Sequence, residues 1–214
     1  MSRRRRYEST MIATALATVS RLITRPAVQW HCDPHADVQR IYFGNHSSHL
    51  DFIVIWSALP ERRRRFVRPV AGRDYWEHGA IRRYLARRVF NAVLIDRGRS
   101  ESANAVAQAR ASIQWIAQEM GDGDSLIVFP EGTRSLTGEV GTFKSGLYHL
   151  SRVKPDVELV PVYLENLNRI LPKGEMLPVP MVSRVVFGPP LPTDIEDDKL
   201  EFLTKARTAL VQLK

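Results

Sequence analysis

A chain of 214 residues can bury one substantial core, and a hydrophobic content of 44% with dispersed aromatics excludes wholesale disorder. A formal net charge of +8 points to an anionic partner, which admits nucleic acid, an anionic membrane surface or a phosphorylated substrate. The lone cysteine, Cys32, excludes an internal disulfide framework and reads as a small buried apolar residue.

The chain opens on a basic run, Arg3 to Arg6, followed by "MIATALATVSRLI". Ile12, Leu16, Val19 and Ile23 are spaced by four, three and four, which makes one helical stripe. Thr, Ser and Arg21 keep the segment short of the ~20 apolar residues of a spanning helix. Two readings stay open: an amphipathic helix lying on a membrane surface, or a helix packed on the domain's own core. The weak apolar part and the lack of a small-residue cleavage site speak against a cleaved leader.

Short runs rich in Val, Ile and Phe follow: "IYF", "FVRPVA", "AVLI", "SLIVF", "ELVPVYL" and "RVVF". They predict buried strands. Helices are predicted between them. One follows Asp51, where "FIVIWSAL" is too apolar to be exposed. Another runs from Ser100 to Met120, with Ser100 or Ser102 as cap and Gly121 just past its end. A third closes the chain after Thr193, with acids in its first turn. Without repeats or a low-complexity linker, the alternation predicts a single α/β domain, a sheet flanked by helices behind an N-terminal amphipathic helix. A second basic run, Arg62 to Arg65, reads either as solvated surface or as a contact for membrane or carrier protein.

Chemistry concentrates in "NHSSHLD", where the first strand gives way to a helix. A histidine is the natural general base near neutral pH, and a carboxylate can fix its tautomer. His46 and Asp51 suit this if the turn folds back, since five residues along a regular helix would point them apart. Asp51 as a simple helix cap is the competing reading. The chain has no G-x-S-x-G elbow, so a base here activates a substrate hydroxyl instead of an enzyme serine. His31, Cys32, His35, His46 and His49 raise the question of a metal, but a single thiol and no paired C-x-x-C argue against a zinc site. His49 reads as a bystander.

The second constellation is "FPEGTRS", Phe129 to Ser135, after the strand "SLIV". An arginine on a glycine-containing loop suits a bidentate phosphate contact. A surface turn with a local Glu131–Arg134 pair fits the same residues. Arg97 ends "LIDR", and Lys144 lies in "FKSG". With Arg134 they make a cationic site facing His46, and none of these groups needs a cofactor.

Taken in order, these blocks resemble the glycerolipid acyltransferases, the group containing bacterial 1-acylglycerol-3-phosphate acyltransferases. "NHSSHLD" is similar to their NHx4D block, "AVLIDR" to the block ending in arginine, "FPEGTRS" to their second signature, and "VPVYL" to their fourth block. "FKSG" is similar to a Phe-Lys-x-Gly turn found between them. The matches cover roughly residues 40 to 165. One departure is Asn91, where the block ending at Arg97 usually begins with glycine; asparagine is the non-glycine residue that best tolerates a left-handed backbone there.

The resemblance implies a mixed sheet of the glycerol-3-phosphate acyltransferase-like kind, with residues 1–28 as a basic membrane-facing segment and 29–214 as the acyltransferase domain. It implies acyl transfer from acyl-CoA or acyl carrier protein to a lysophospholipid hydroxyl, 1-acylglycerol-3-phosphate first among acceptors, giving phosphatidic acid. Another lysolipid or alcohol is the alternative acceptor. His46 would be the base and Asp51 its partner; Glu131, Gly132 and Thr133 would line the acceptor site; Arg97, Arg134 and Lys144 would hold anions. No metal and no cofactor beyond the co-substrate is expected. The expected partners are the acyl carrier, the lysolipid and an anionic membrane surface, at the cytoplasmic face of the cell membrane, and not nucleic acid. A non-catalytic basic module, with Tyr75 and Trp76 near the second arginine run, is the remaining alternative; no nucleic-acid motif supports it.

Overall fold

The apolar runs become a seven-stranded sheet in a computed structural model that describes residues 3–96, 105–171, 175, 177–193 and 196–214. In chain order the elements are α1 Arg3–Thr24, β1 Ala27–Trp30, β2 Arg40–Gly44, α2 Asp51–Ala58, α3 Glu61–Arg64, β3 Val67–Gly72, α4 Arg73–Trp76 and α5 Ala80–Tyr84. A π-helical turn, Leu85–Val89, then leads into β4 Val93–Ile95, α6 Ala105–Met120, β5 Ser125–Val128, α7 Gly146–Val153, β6 Glu158–Glu165, α8 Leu167–Ile170, β7 Arg184–Phe187 and α9 Lys199–Val211.

All six predicted strands form. β1, too short and half-exposed to show a pattern, is additional. The strand order is β1-β7-β6-β2-β5-β3-β4. From β6 to β4 every pairing is parallel, whereas β7 runs antiparallel to β6, so the sheet is mixed.

Central strands are buried on both faces, which is why they read as unbroken apolar runs. Ile41, Phe43, Leu126, Leu159 and Val186 point into one core, closed by Ile116 and Met120 of α6, Leu147 and Leu150 of α7, and Phe202, Ala206 and Leu210 of α9. Tyr42, Ile127, Val160, Val162 and Phe187 point into the other, against Val54, Ile55 and Trp56 of α2 and Ala17 of α1. The period of two along each strand assigns the faces.

Local signals hold at two helix ends. Gly121 follows α6 at φ +56°, and Asp198 caps α9 by accepting the N–H of Glu201 at 2.8 Å. Ser100 and Ser102 lie outside the described residues. Asn91 adopts φ +47°, the left-handed backbone its place in a glycine position requires.

The stripe predicted on α1 is split. Ala17, Ser20 and Thr24 are buried, with Ala13, Leu16 and Ile23 packed beside them, while Val19 is 50% exposed. Small residues let the helix approach α2 closely, and Arg21 locks the contact by donating Nε and Nη2 to the carbonyl of Ser57 at the end of α2. No helix of the described residues is long and apolar enough to cross a membrane. Cys32, two residues past the edge strand β1, is only partly buried and not a core residue.

Candidate active site

β2 and β5 are parallel neighbours at the centre of the sheet, so the loops leaving their C-terminal ends emerge side by side. Phe43 pairs with Val128, and His46 and Glu131 each stand three residues further on. Blocks remote in sequence are thereby brought together.

The turn after β2 folds back as the base-and-carboxylate reading requires. His46 Nδ1 lies 2.8 Å from Oδ2 of Asp51, the first residue of α2. The same oxygen accepts the backbone N–H of Ser47 at 2.6 Å and of Ser48 at 2.9 Å. Asp51 is wholly buried, and the His46 side chain is 18% exposed. Three donors on one oxygen fix the carboxylate, and through it the imidazole. The far face of the imidazole stacks on Phe129, ring centres 4.3 Å apart.

The signature turn after β5 grips the same histidine. Glu131 is buried and accepts the N–H of His46 at 2.9 Å and of Gly141 at 3.1 Å. Burial raises its carboxyl above the ordinary range, and those two N–H donors draw it back down. Ser135 N–H donates to the carbonyl of His46 at 2.7 Å. Gly132 sits at φ +71°, and a Cβ there would stand 2.9 Å from Nζ of Lys144. The lysine thus lies across the turn, and its own N–H donates to the carbonyl of Pro130 at 2.8 Å. Thr133 is exposed.

Among the described residues the local Glu131–Arg134 pair does not form: the carboxylate is engaged with backbone. Arg134 Nη1 is buried and has no hydrogen-bond partner there. His49 is half-buried and stacks on Tyr75, ring centres 5.0 Å apart, with the Arg82 guanidinium 4.4 Å from the Tyr75 ring centre. Burial, then the neighbouring Arg134, His46 and Arg82, push its pKa down to about 4. A neutral imidazole among cations is the signature of an electropositive pocket.

Arg97, expected to complete that pocket, lies outside the described residues. Among the described residues no three His, Cys, Asp or Glu side chains converge to hold a metal. The basic run Arg62–Arg65 is not one solvated face: Arg63 pairs with Asp37 at 2.5 Å, and Arg64 is buried over Trp56 with Nη2 on the carbonyl of Leu59. Trp76 packs edge-on against Phe52 and Phe90, a core role.

One residue of the first block was given no task from sequence. Asn45 is buried; its Nδ2 donates to the carbonyl of Leu164 and its Oδ1 accepts that residue's N–H, both at 2.8 Å. The amide extends the β2–β6 pairing past Gly44, where the backbone itself turns away. An amide directly after a buried strand, facing donor and acceptor at once, was the available signal.

Residues 31–165 match the protein family described as Acyltransferase. The chain is 30% identical over 166 residues to a 1-acyl-sn-glycerol-3-phosphate acyltransferase of Limnanthes douglasii, covering 75% of this chain and 53% of that one. It is 30% identical over 155 residues to the human 1-acyl-sn-glycerol-3-phosphate acyltransferase alpha, covering 72% and 50%. It thus spans about half the length of these relatives. Its fold is similar to the crystal structure of the 1-acyl-sn-glycerophosphate (LPA) acyltransferase PlsC from Thermotoga maritima, with a TM-score of 0.70 at 19% identity, covering 100% of this chain and 83% of that one.

Proposed function

The chain belongs to the acyltransferase family, and on that premise we propose that it moves a fatty acyl group from an acyl thioester, acyl-CoA or acyl carrier protein, to the free hydroxyl of a lysophospholipid. The acceptor is 1-acylglycerol-3-phosphate and the product phosphatidic acid, in keeping with the names of its relatives. The observation that carries this reading is the His46–Asp51 pair, beside an arginine nitrogen that is buried and unpartnered.

With Nδ1–H donated to Asp51, His46 keeps its lone pair on Nε2. Nε2 takes the acceptor hydroxyl proton as that oxygen attacks the thioester carbonyl. The tetrahedral intermediate collapses with cleavage of the C–S bond, and the departing sulfur takes the proton from the imidazolium, which Asp51 stabilises meanwhile. No acyl-enzyme forms. The base supplies about 10²–10⁴-fold, and holding hydroxyl and carbonyl together supplies about 7 kcal/mol or more. A guanidinium cannot shed its proton, so the Arg134 nitrogen needs an acceptor, and the phosphate of a lysolipid supplies one. Lys144 stands by the same turn, and the family resemblance adds Arg97 as a third cation and Gly132 and Thr133 as walls of the acceptor site.

A bilayer-resident substrate fits the outer side of α1. Met11, Val19 and Leu22 are 69%, 50% and 67% exposed, on the helix that begins with four arginines. Each arginine near an anionic surface contributes about 1 kcal/mol, enough to hold a peripheral enzyme at the inner face of the cell membrane.

Thiol release from palmitoyl-CoA, with and without lysophosphatidic acid, tests the reading. Release that depends on the lysolipid and vanishes in His46→Ala is expected. Release that survives the loss of His46 overturns the mechanism.

A further inference from the structure

The turn Phe129–Ser135 touches His46 on three sides: the Phe129 ring lies under the imidazole, Ser135 N–H holds its carbonyl, and Glu131 holds its N–H. Glu131 is only 6% exposed, and each carboxylate oxygen already accepts a backbone N–H. The second bond exists because position 141 is glycine; a Cβ there would stand 2.8 Å from Oε2. A buried carboxylate is also a poor wall for an anionic acceptor, since like charges repel.

We propose that Glu131 is a positioning residue, which clamps the His46 peptide to the Gly141 turn and so aims the imidazole, and that it does not bind the acceptor. This rests on the reading of His46 as the base. It corrects the role that family resemblance implies for Glu131. The clamp joins residues 46 and 131 across 85 positions of chain. Phe129 and Ser135 alone would hold the ring and the carbonyl but leave the N–H side free to rotate.

Glu131→Gln in the full chain keeps the volume but sets an amide NH2 against one of the two N–H donors. Gly141→Ala keeps the carboxylate and crowds Oε2 from the opposite side. Both variants are expected to lower kcat by about 10²-fold, the cost of a small misplacement of a reacting group, with KM for lysophosphatidic acid within about twofold of the parent. A rise in KM of about tenfold at unchanged kcat would place Glu131 against the acceptor and overturn the proposal. A second measurement is independent of turnover: the ring 15N and Nδ1–H resonances of His46, recorded without substrate. They are expected to shift in both variants. Unmoved resonances overturn the clamp whether or not the protein transfers an acyl group to this acceptor, whereas absent transfer with moved resonances overturns only the proposed substrate.

Discussion

The turn after β5 and the stretch from α3 to the π-helical turn both carry arginine, and they treat the charge in opposite ways. Between residues 61 and 90 most of the guanidinium groups find partners: Arg63 has Asp37, Arg73 and Arg87 share Glu77, and Arg68 has Glu119 and Asp124. In the site turn Arg134 has a buried Nη1 with none among the described residues, and the carboxylate nearest in sequence, Glu131, is engaged with backbone. The two regions look alike as lists of residues. A paired cation reports on folding, and an unpaired buried one beside a poised imidazole reports on binding.

The largest effect expected on the site side is His46→Ala, a loss of about 10²–10⁴-fold in kcat. On the paired side, Arg68→Met should cost about 2–3 kcal/mol in urea unfolding and leave KM alone. That is less than a fully buried pair because Glu119 and Asp124 are 33% and 27% exposed. Arg134→Met should do the reverse, raising KM for lysophosphatidic acid by about tenfold or more with stability held or increased. An Arg134 variant that unfolds easily while binding normally would erase the contrast between the regions.

His49 sharpens it by pH. Its folded pKa of about 4 lies below the ordinary 6.5, so the unfolded chain binds the extra proton between those values and stability falls as pH drops through that window. His49→Gln should therefore raise the melting temperature at pH 5 relative to the parent and leave it unchanged at pH 8. The smallest effect expected is that of Arg87→Ala, within about 0.5 kcal/mol, because its guanidinium is more than half exposed.

The fold was legible wherever a pattern is local. Six strands and the three main helices showed as apolar or periodic runs, while β1, with its alternating half-exposure at the sheet edge, carried no comparable signal. His46 and Asp51 were legible because a five-residue turn is enough to join them. The stripe on α1 was misleading: a face of Ala17, Ser20 and Thr24 packs by closeness, and a hydrophobic period does not register small or hydroxylated residues. The choice between a local Glu131–Arg134 pair and a free arginine stayed open in the sequence, because spacing does not show that the backbone N–H groups of His46 and Gly141 hold the carboxylate first.

By itself the sequence determined which residues have the chemistry of a base, a carboxylate partner and anion contacts, and the α/β pattern that carries them. These follow from residue type and from spacings within one turn or one element. Only the tertiary structure decided that β2 lies beside β5, which sets Glu131 under His46, frees Arg134 from its local partner and pairs the arginines of the outer segment. Those choices depend on contacts dozens of residues apart, where burial and competition for donors, not spacing, select the partner.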